Sequence, residues 1–410
     1  MKTELFIAGR LRLSPGDGQR RSPAVGIAVG GVALAVAVMI ITIAVVSGFK
    51  SGIREKVMGF NAAITLAAVP ELSDSLPLVS LQPQLSEAIS EACPGASVAR
   101  VLTQPTILKT PEQFAGVNLV AYDEGHDFAF ERSNLLEGTL PEKPTDLLIS
   151  RDTAGKLGLK PGDKLDACFF LDNGLKMRRL TVSGIYSSNF GDYDRLTAYV
   201  PFAMLQRLRR IPEGGADRIE LRGIAMDSVQ TAATTLHARL LPLYASNQLT
   251  APMSLLTVFD AGAMYFNWLA LLDANVVVIL IIMALVSGFT LISCVFILIL
   301  QRVRMIGILK SFGATNRQVR RIFELLGVKV VLPGMLYGNI VGLGIVFAQW
   351  KWHLLPLDPE AYYLAYVPMQ LTITQILAVN LGALLLAALL LLVPATMVSR
   401  ISPATTMRYQ

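Results

Sequence analysis

The chain has 410 residues, 53% of them hydrophobic and only 16% charged, and its mean hydropathy is +0.52. That balance excludes an ordinary soluble domain and places the chain among membrane proteins. The formal net charge of +6 gathers beside the apolar runs and marks topology rather than nucleic-acid binding.

Residues 1–23 form a basic N-terminal segment with Lys2, Arg10, Arg12, Arg20 and Arg21. Residues 24–49, "VGIAVGGVALAVAVMIITIAVVSGF" at their heart, carry no charge before Lys50. This run exceeds the ~20 residues that cross a bilayer core, and it is too long for a cleaved leader, so it reads as a retained first span. Phe49, Ile53 and Val57 recur every four residues beyond it, which extends the helix above the membrane as a stalk.

Residues 50–273 form a large inserted domain of mixed α+β pattern. "LGLKPGDKLDACFFL" joins a Pro-Gly-Asp turn to a strand, "RRLTVSGIYSS" and "TAYVP" read as further strands, and "NFGDYDRL" reads as a turn. "QPQLSEAISEACPG" and "SVQTAATTLHARL" have the spacing of short amphipathic helices. "YDEGHDF" gathers Asp123, Glu124, His126 and Asp127; with no second ligand cluster, a solvated turn accounts for it better than a metal site. Cys93 and Cys168 share this exported segment, where a disulfide is permitted but not fixed by sequence. Residues 254–273 read as a helical stalk into the second span, with Tyr265 and Trp268 suited to the membrane interface.

The second span covers residues 274–300, a basic connection 301–325, the third span 326–350, a short loop 351–371, the fourth span 372–398, and a tail 399–410. Arg302, Arg304, Lys310, Arg317, Arg320, Arg321 and Lys329 face the single acid Glu324 between spans two and three, and the tail adds Arg400 and Arg408. The positive-inside rule therefore puts both termini and the connection in the cytoplasm, with the inserted domain and the 351–371 loop outside. Gly334, Gly338 and Gly342 make a doubled G-x-x-x-G, a helix-packing face, and Gly26 with Gly30 repeats it once in span one. Asn339 and Asn380 can hydrogen-bond between spans, and Lys329 can snorkel to the surface.

Neither a G-x-S-x-G elbow nor a Walker A loop occurs, and no His pair has zinc spacing, so the chain reads as a non-catalytic subunit that relies on another chain for any use of ATP. The connection itself carries the strongest signal. "RMIGILKSF" has helical spacing, with Met305, Ile308, Leu309 and Phe312 on one side; Gly313 suits the left-handed position past a helix end; and Thr315 with Gln318 completes a capping box. A DNA-binding helix-turn-helix, a helix lying on anionic lipid, and a docking knob for a cytoplasmic protein compete for this pattern. Tethering to two spans disfavours DNA, and the apolar side chains gathered beside a sharp turn favour docking.

"RMIGILKSFGATNRQVRRIFELLG", followed by the Gly-rich third span, resembles the cytoplasmic signature of FtsX-like permeases of ABC transporters, the macrolide-exporter type. "SGFKSGIREKVMGF", "LGLKPGDKL", "VSGIYSS", "AYVPFAML" and "RISPATTMRYQ" are similar to the lipoprotein-releasing branch, the LolC/LolE type. The resemblance implies four transmembrane α-helices with a large MacB-like α+β periplasmic domain between helices one and two, in a bacterial inner membrane. It implies pairing with a second copy or a related permease, and a separate ATPase dimer that binds ATP and Mg and receives Met305, Ile308, Leu309, Phe312, Gly313 and Ala314. Many relatives have an acid where this chain has Met305, which removes one expected salt bridge but not apolar docking. By mechanotransmission, the branch would extract lipoproteins from the outer leaflet and pass them to a periplasmic carrier. Efflux of small amphipathic compounds or peptides, and a signalling role controlling cell-wall hydrolases, are the alternatives. Val46, Phe49, Ile53, Phe266 and Leu269 are the candidate substrate groove, positions that core packing accounts for equally well.

Overall fold

A computed structural model describes residues 23–69, 78–171, 174–246, 248–249 and 252–397. The basic segment 1–22 and the tail 398–410, whose Lys and Arg residues contribute to the orientation argument, lie outside the described residues.

The chain opens with α1 (Pro23–Phe60), then β1 (Ile64–Ala68), β2 (Val79–Ser80), α2 (Pro83–Ala92), β3 (Ser97–Lys109), β4 (Phe114–Tyr122), α3 (Ala129–Ser133), β5 (Leu135–Gly138) and β6 (Asp146–Ser150). It continues through α4 (Arg151–Leu157), β7 (Lys164–Leu171), β8 (Gly174–Tyr186), α5 (Gly191–Leu196), β9 (Thr197–Tyr199), α6 (Phe202–Arg209), β10 (Gly215–Ala216), β11 (Arg218–Arg222), α7 (Val229–Ala245) and β12 (Met253–Thr257). Helices close the chain: α8 (Val258–Ala261), α9 (Ala263–Gln301), α10 (Val303–Ser311), α11 (Asn316–Trp352), α12 (Pro359–Tyr362) and α13 (Ile373–Met397). Two compact units result, one holding the chain up to Ser51 with Leu269–Pro356 and the residues from Tyr366 onward, the other Gly52–Trp268 with Leu357–Ala365.

Among the described residues four helices, α1, α9, α11 and α13, are long and apolar enough to cross a membrane. The 38 residues of α1 extend ~57 Å, nearly twice the ~30 Å of bilayer hydrocarbon, so span and stalk are one helix. Lys50 and Asp273, the charges that close the first apolar run and open the second, meet at 2.7 Å.

In the helical unit the triple-glycine face of α11 packs on α1. A Cβ at Gly334 would stand 2.7 Å from Val32 Cβ, one at Gly338 would stand 2.7 Å from the Ala33 carbonyl, and one at Gly342 would stand 3.2 Å from Ala37 Cα. Among the described residues nothing stands within 4 Å of a Cβ placed at Gly26 or Gly30, so the second motif is not used for packing between the described helices of this chain. The two asparagines form a reciprocal pair: Asn339 Nδ2 donates to Asn380 Oδ1 at 2.7 Å, and Asn380 Nδ2 donates to Asn339 Oδ1 at 2.9 Å. Asn339→Leu strands one amide between helices and is expected to cost about 1 kcal/mol. Thermal unfolding in detergent checks this, and the Asn339→Leu/Asn380→Leu double variant should lose less than twice the single loss.

The second unit is a ten-stranded mixed sheet, among the described residues, in the order β12-β1-β11-β3-β4-β9-β6-β8-β5, with β7 paired to β3 and β8. Its core gathers Leu102, Leu119, Leu147, Ile149, Phe169 and Leu180. The expected strands and both amphipathic helices are present, which makes the domain α+β.

Three readings need correction. Residues 254–257, expected as helix, belong to β12, which completes the edge of β1 with Ser254 opposite Ala67. Helix begins only after Thr257, whose side chain and N–H exchange hydrogen bonds with Asp260 in a capping box. "NFGDYDRL" is not a simple turn but contains α5, because Asp194 accepts from the Ser188 N–H at 3.0 Å and the Ser188 hydroxyl at 2.6 Å and so anchors that helix to the preceding loop. Finally, residues 357–365, expected as part of a plain loop, group with the inserted domain.

Candidate functional site

The connection between α9 and α11 folds as the capping chemistry dictates. Gly313 takes φ +88°, where an L side chain is strained, and reverses the chain after α10. Thr315 then caps α11, accepting from the Gln318 N–H while the Gln318 side chain accepts from the Thr315 N–H.

Burial divides the six candidate docking residues. Ile306 is fully buried with Val319, Ile322, Phe323 and Leu326, and Leu309 and Ala314 pack against that cluster. Leu309 and Ala314 are partly buried, so each shares its surface between that cluster and the outside of the knob. Ile308 is 46% exposed, Phe312 is 86% exposed, and Gly313 is open around its Cα. Met305 is partly buried. The result is a rigid knob that presents a large apolar ring at a capped turn, a feature water disfavours by roughly 1.5–3 kcal/mol relative to burial.

Of the candidate groove residues, Val46, Phe49 and Ile53 lie along α1, and Phe266 and Leu269 lie on α9. Ile53 (0%) and Leu269 (2%) are buried in the chain's own packing and so expose no surface to lipid. Phe266 rests against Phe259 at 5.1 Å.

Within the inserted-domain unit a polar and aromatic cluster receives the end of α1. Arg222 Nη1 donates to the Gly59 carbonyl at 2.7 Å and its Nη2 to the Phe60 carbonyl at 3.4 Å, satisfying carbonyls that a helix end leaves without partners. Glu220 accepts from Arg222 at 2.8 Å and from Arg218 at 2.8 Å. Burial alone would push the Glu220 carboxyl up, but the two guanidinium groups outweigh it and hold it below the ordinary value of 4.5. That contribution to stability is complete above about pH 4.5 and is lost as the pH falls through the lower folded value. Glu220→Gln leaves both cations without their carboxylate, with an expected loss of about 3 kcal/mol, read as a lower Tm at pH 7 whose difference from wild type shrinks in acid.

Phe60 stacks on Tyr193 at 4.7 Å and leans on Phe190 at 4.9 Å, with Phe130 and Tyr265 each at 6.4 Å. Tyr265 belongs to this cluster. "YDEGHDF" is likewise more than a solvated turn: His126 is buried, stacked on Tyr122 at 3.8 Å and bonded through Nε2 to Glu131 at 3.1 Å. Among the described residues no group of three acidic, His or Cys side chains has the arrangement to hold a metal. Cys93 and Cys168 are both free.

Sequence reading missed one surface. Phe170 lies opposite Leu175, and Cys168 opposite Met177, on the outward face of the β7–β8 hairpin. Phe170, Leu175 and Met177 are 61%, 59% and 55% exposed. The signal was in the Phe169–Phe170 doublet: strand alternation sends one ring inward, where Phe169 is buried, and the next outward.

Residues 277–403 match the family described as FtsX-like permease C-terminal, and residues 25–239 match the MacB-like periplasmic core domain. The chain is 24% identical over 405 residues to the lipoprotein-releasing system transmembrane protein LolC of Xylella fastidiosa (strain Temecula1), covering 93% of this chain and 92% of that one. It is 22% identical over 434 residues to the lipoprotein-releasing system transmembrane protein LolE of Haemophilus influenzae, covering 98% and 99%. Among solved structures, the periplasmic region of MacB from Actinobacillus actinomycetemcomitans is 14% identical with TM-score 0.34, covering 52% of this chain and 95% of that one.

Proposed function

We propose that this chain, which belongs to the FtsX-like permease family and carries a MacB-like periplasmic core domain, couples ATP hydrolysis in a separate subunit to the release of lipid-anchored proteins from the bacterial inner membrane. The exposed, capped knob at Ile308 and Phe312 carries the reading, because an aromatic ring left in water on a rigid turn is suited to a groove in a partner. ATP and Mg belong to that partner, an ATPase dimer, and a second copy or a related permease completes the assembly. Both termini and the knob face the cytoplasm on this reading, supported by Arg302, Arg304, Lys310, Arg317, Arg320 and Arg321 around the connection.

The cargo assignment rests on the names of the full-length relatives, which are lipoprotein-releasing permeases. The apolar outward face of the β7–β8 hairpin supports it, since a surface of Phe170, Leu175 and Met177 on an exported domain suits a soluble carrier that shields acyl chains. Phe170→Ser with Leu175→Ser is expected to leave Tm unchanged within about 1 °C, as surface substitutions do, while cargo delivered to a soluble acceptor falls about tenfold or more. Purification of the wild type from mild detergent, scored for co-eluting acylated proteins, tests the cargo class: their absence in the presence of bound ATPase would move the assignment to efflux or signalling.

A further inference from the structure

Resting on the permease reading, we propose that Lys56 is a positioning residue that latches residues 357–365, part of the connection between α11 and α13, onto the inserted domain, making that segment a third mechanical link beside α1 and α9.

Three distant stretches of chain converge on one ammonium. Lys56 Nζ, near the end of α1, donates to the Ser188 carbonyl at 2.6 Å and to the Tyr363 carbonyl at 2.8 Å, partners 132 and 307 residues away in sequence. The Tyr363 ring stacks on the fully buried Phe190 at 4.3 Å and meets Tyr265 edge-on at 5.9 Å, so the segment also touches the first turn of α9. Leu364 closes against Gly52, where a Cβ would stand 3.2 Å from its side chain. The Leu357 N–H donates to the Ala365 carbonyl at 3.0 Å and closes the segment on itself.

The backbone at one acceptor is strained: Tyr363 has φ +61°, a region costly for an aromatic residue and maintained only where the surroundings over-determine it, whereas Asn189, next to Ser188, has φ +56°, which asparagine adopts readily. The lysine is itself an expensive choice. Burial pushes its ammonium down from the ordinary value, partly offset by Asp194, which is held by Ser188. An unbranched apolar side chain would fill the same space with no charge to desolvate. What Lys56 adds over such a side chain is a defined register between α1, the loop after β8 and the 357–365 segment. A permease whose domain is moved from the membrane needs that register, because a link that slips dissipates the stroke.

Hydrogen exchange on the full chain in nanodiscs tests the latch without any partner. Lys56→Met keeps the packing and removes both hydrogen bonds; it is expected to raise exchange in residues 357–365 and 188–194 about tenfold, with β3 and β4 unchanged, and Lys56→Arg restores protection. In the complex with its ATPase, Lys56→Met should hydrolyse ATP at the wild-type rate but release about fivefold less lipoprotein per ATP, again restored by Lys56→Arg. Unchanged exchange at 357–365, exchange raised equally in β3 and β4, or unchanged release per ATP would each overturn the latch. A wild-type complex that neither binds an ATPase nor releases lipoprotein would instead overturn the permease reading, which the exchange result alone does not touch.

Discussion

Replacing Ile308 and Phe312 together with Asp is expected to strip the chain of its co-purifying ATPase while leaving its own fold intact. Ile308 and Phe312 are exposed and lie outside the buried cluster of Ile306, Val319, Ile322 and Phe323, so charge at these positions meets water in the free chain and, on the docking proposal, an apolar groove in the complex. Each should act as a binding hot spot worth about 2 kcal/mol or more, and the pair about 4 kcal/mol, close to a thousandfold in affinity. The measurement is a pull-down from nanodiscs with the ATPase quantified, beside a thermal melt of each variant. Leu309→Asp serves as the contrast: it places a charge against the buried cluster and should lower Tm together with binding. ATPase retained by the Ile308→Asp/Phe312→Asp variant would mean that this face is not the docking surface.

Gly338→Leu should separate α11 from α1. At this position a Cβ would lie 2.7 Å from the Ala33 carbonyl oxygen and 2.8 Å from Val36 Cβ, and the first of these is backbone that cannot rotate aside. Overpacking of this kind costs about 3 kcal/mol or more, because the helices must part along the face that Gly334 and Gly342 also share. Gly344→Ala on the same helix, where nothing stands within 4 Å, is the matched control and should melt with wild type. A thermal melt in the same detergent reads both; a Gly338→Leu variant as stable as the control would rule out the close approach of these helices.

The spans were legible because a charge-free run longer than a bilayer is thick is rare outside membranes, and the charges that bound the first two runs, Lys50 and Asp273, pair with each other in the fold. The capping box at Thr315 and the turn at Gly313 were legible because each is a local rule read from neighbouring residues. What the sequence hid is non-local. α10 carries apolar residues around more than one side, so composition could not decide that Ile306 is buried while Ile308 and Phe312 are exposed. Residues 254–257, "SLLT", fit a helix as well as a strand, and only the edge of β1 selects the strand. Nothing near Lys56 in sequence announces that its acceptors are Ser188 and Tyr363, and the grouping of 357–365 with the inserted domain follows from those same long-range contacts.

The lipoprotein-release reading stands or falls on release of an acylated protein from proteoliposomes containing this chain with an ATPase and with a second copy or a related permease. Release to a soluble acceptor is expected to require ATP hydrolysis and to disappear in the Ile308→Asp/Phe312→Asp variant. Undiminished release without ATP, or vigorous hydrolysis with no protein leaving the bilayer, would overturn it.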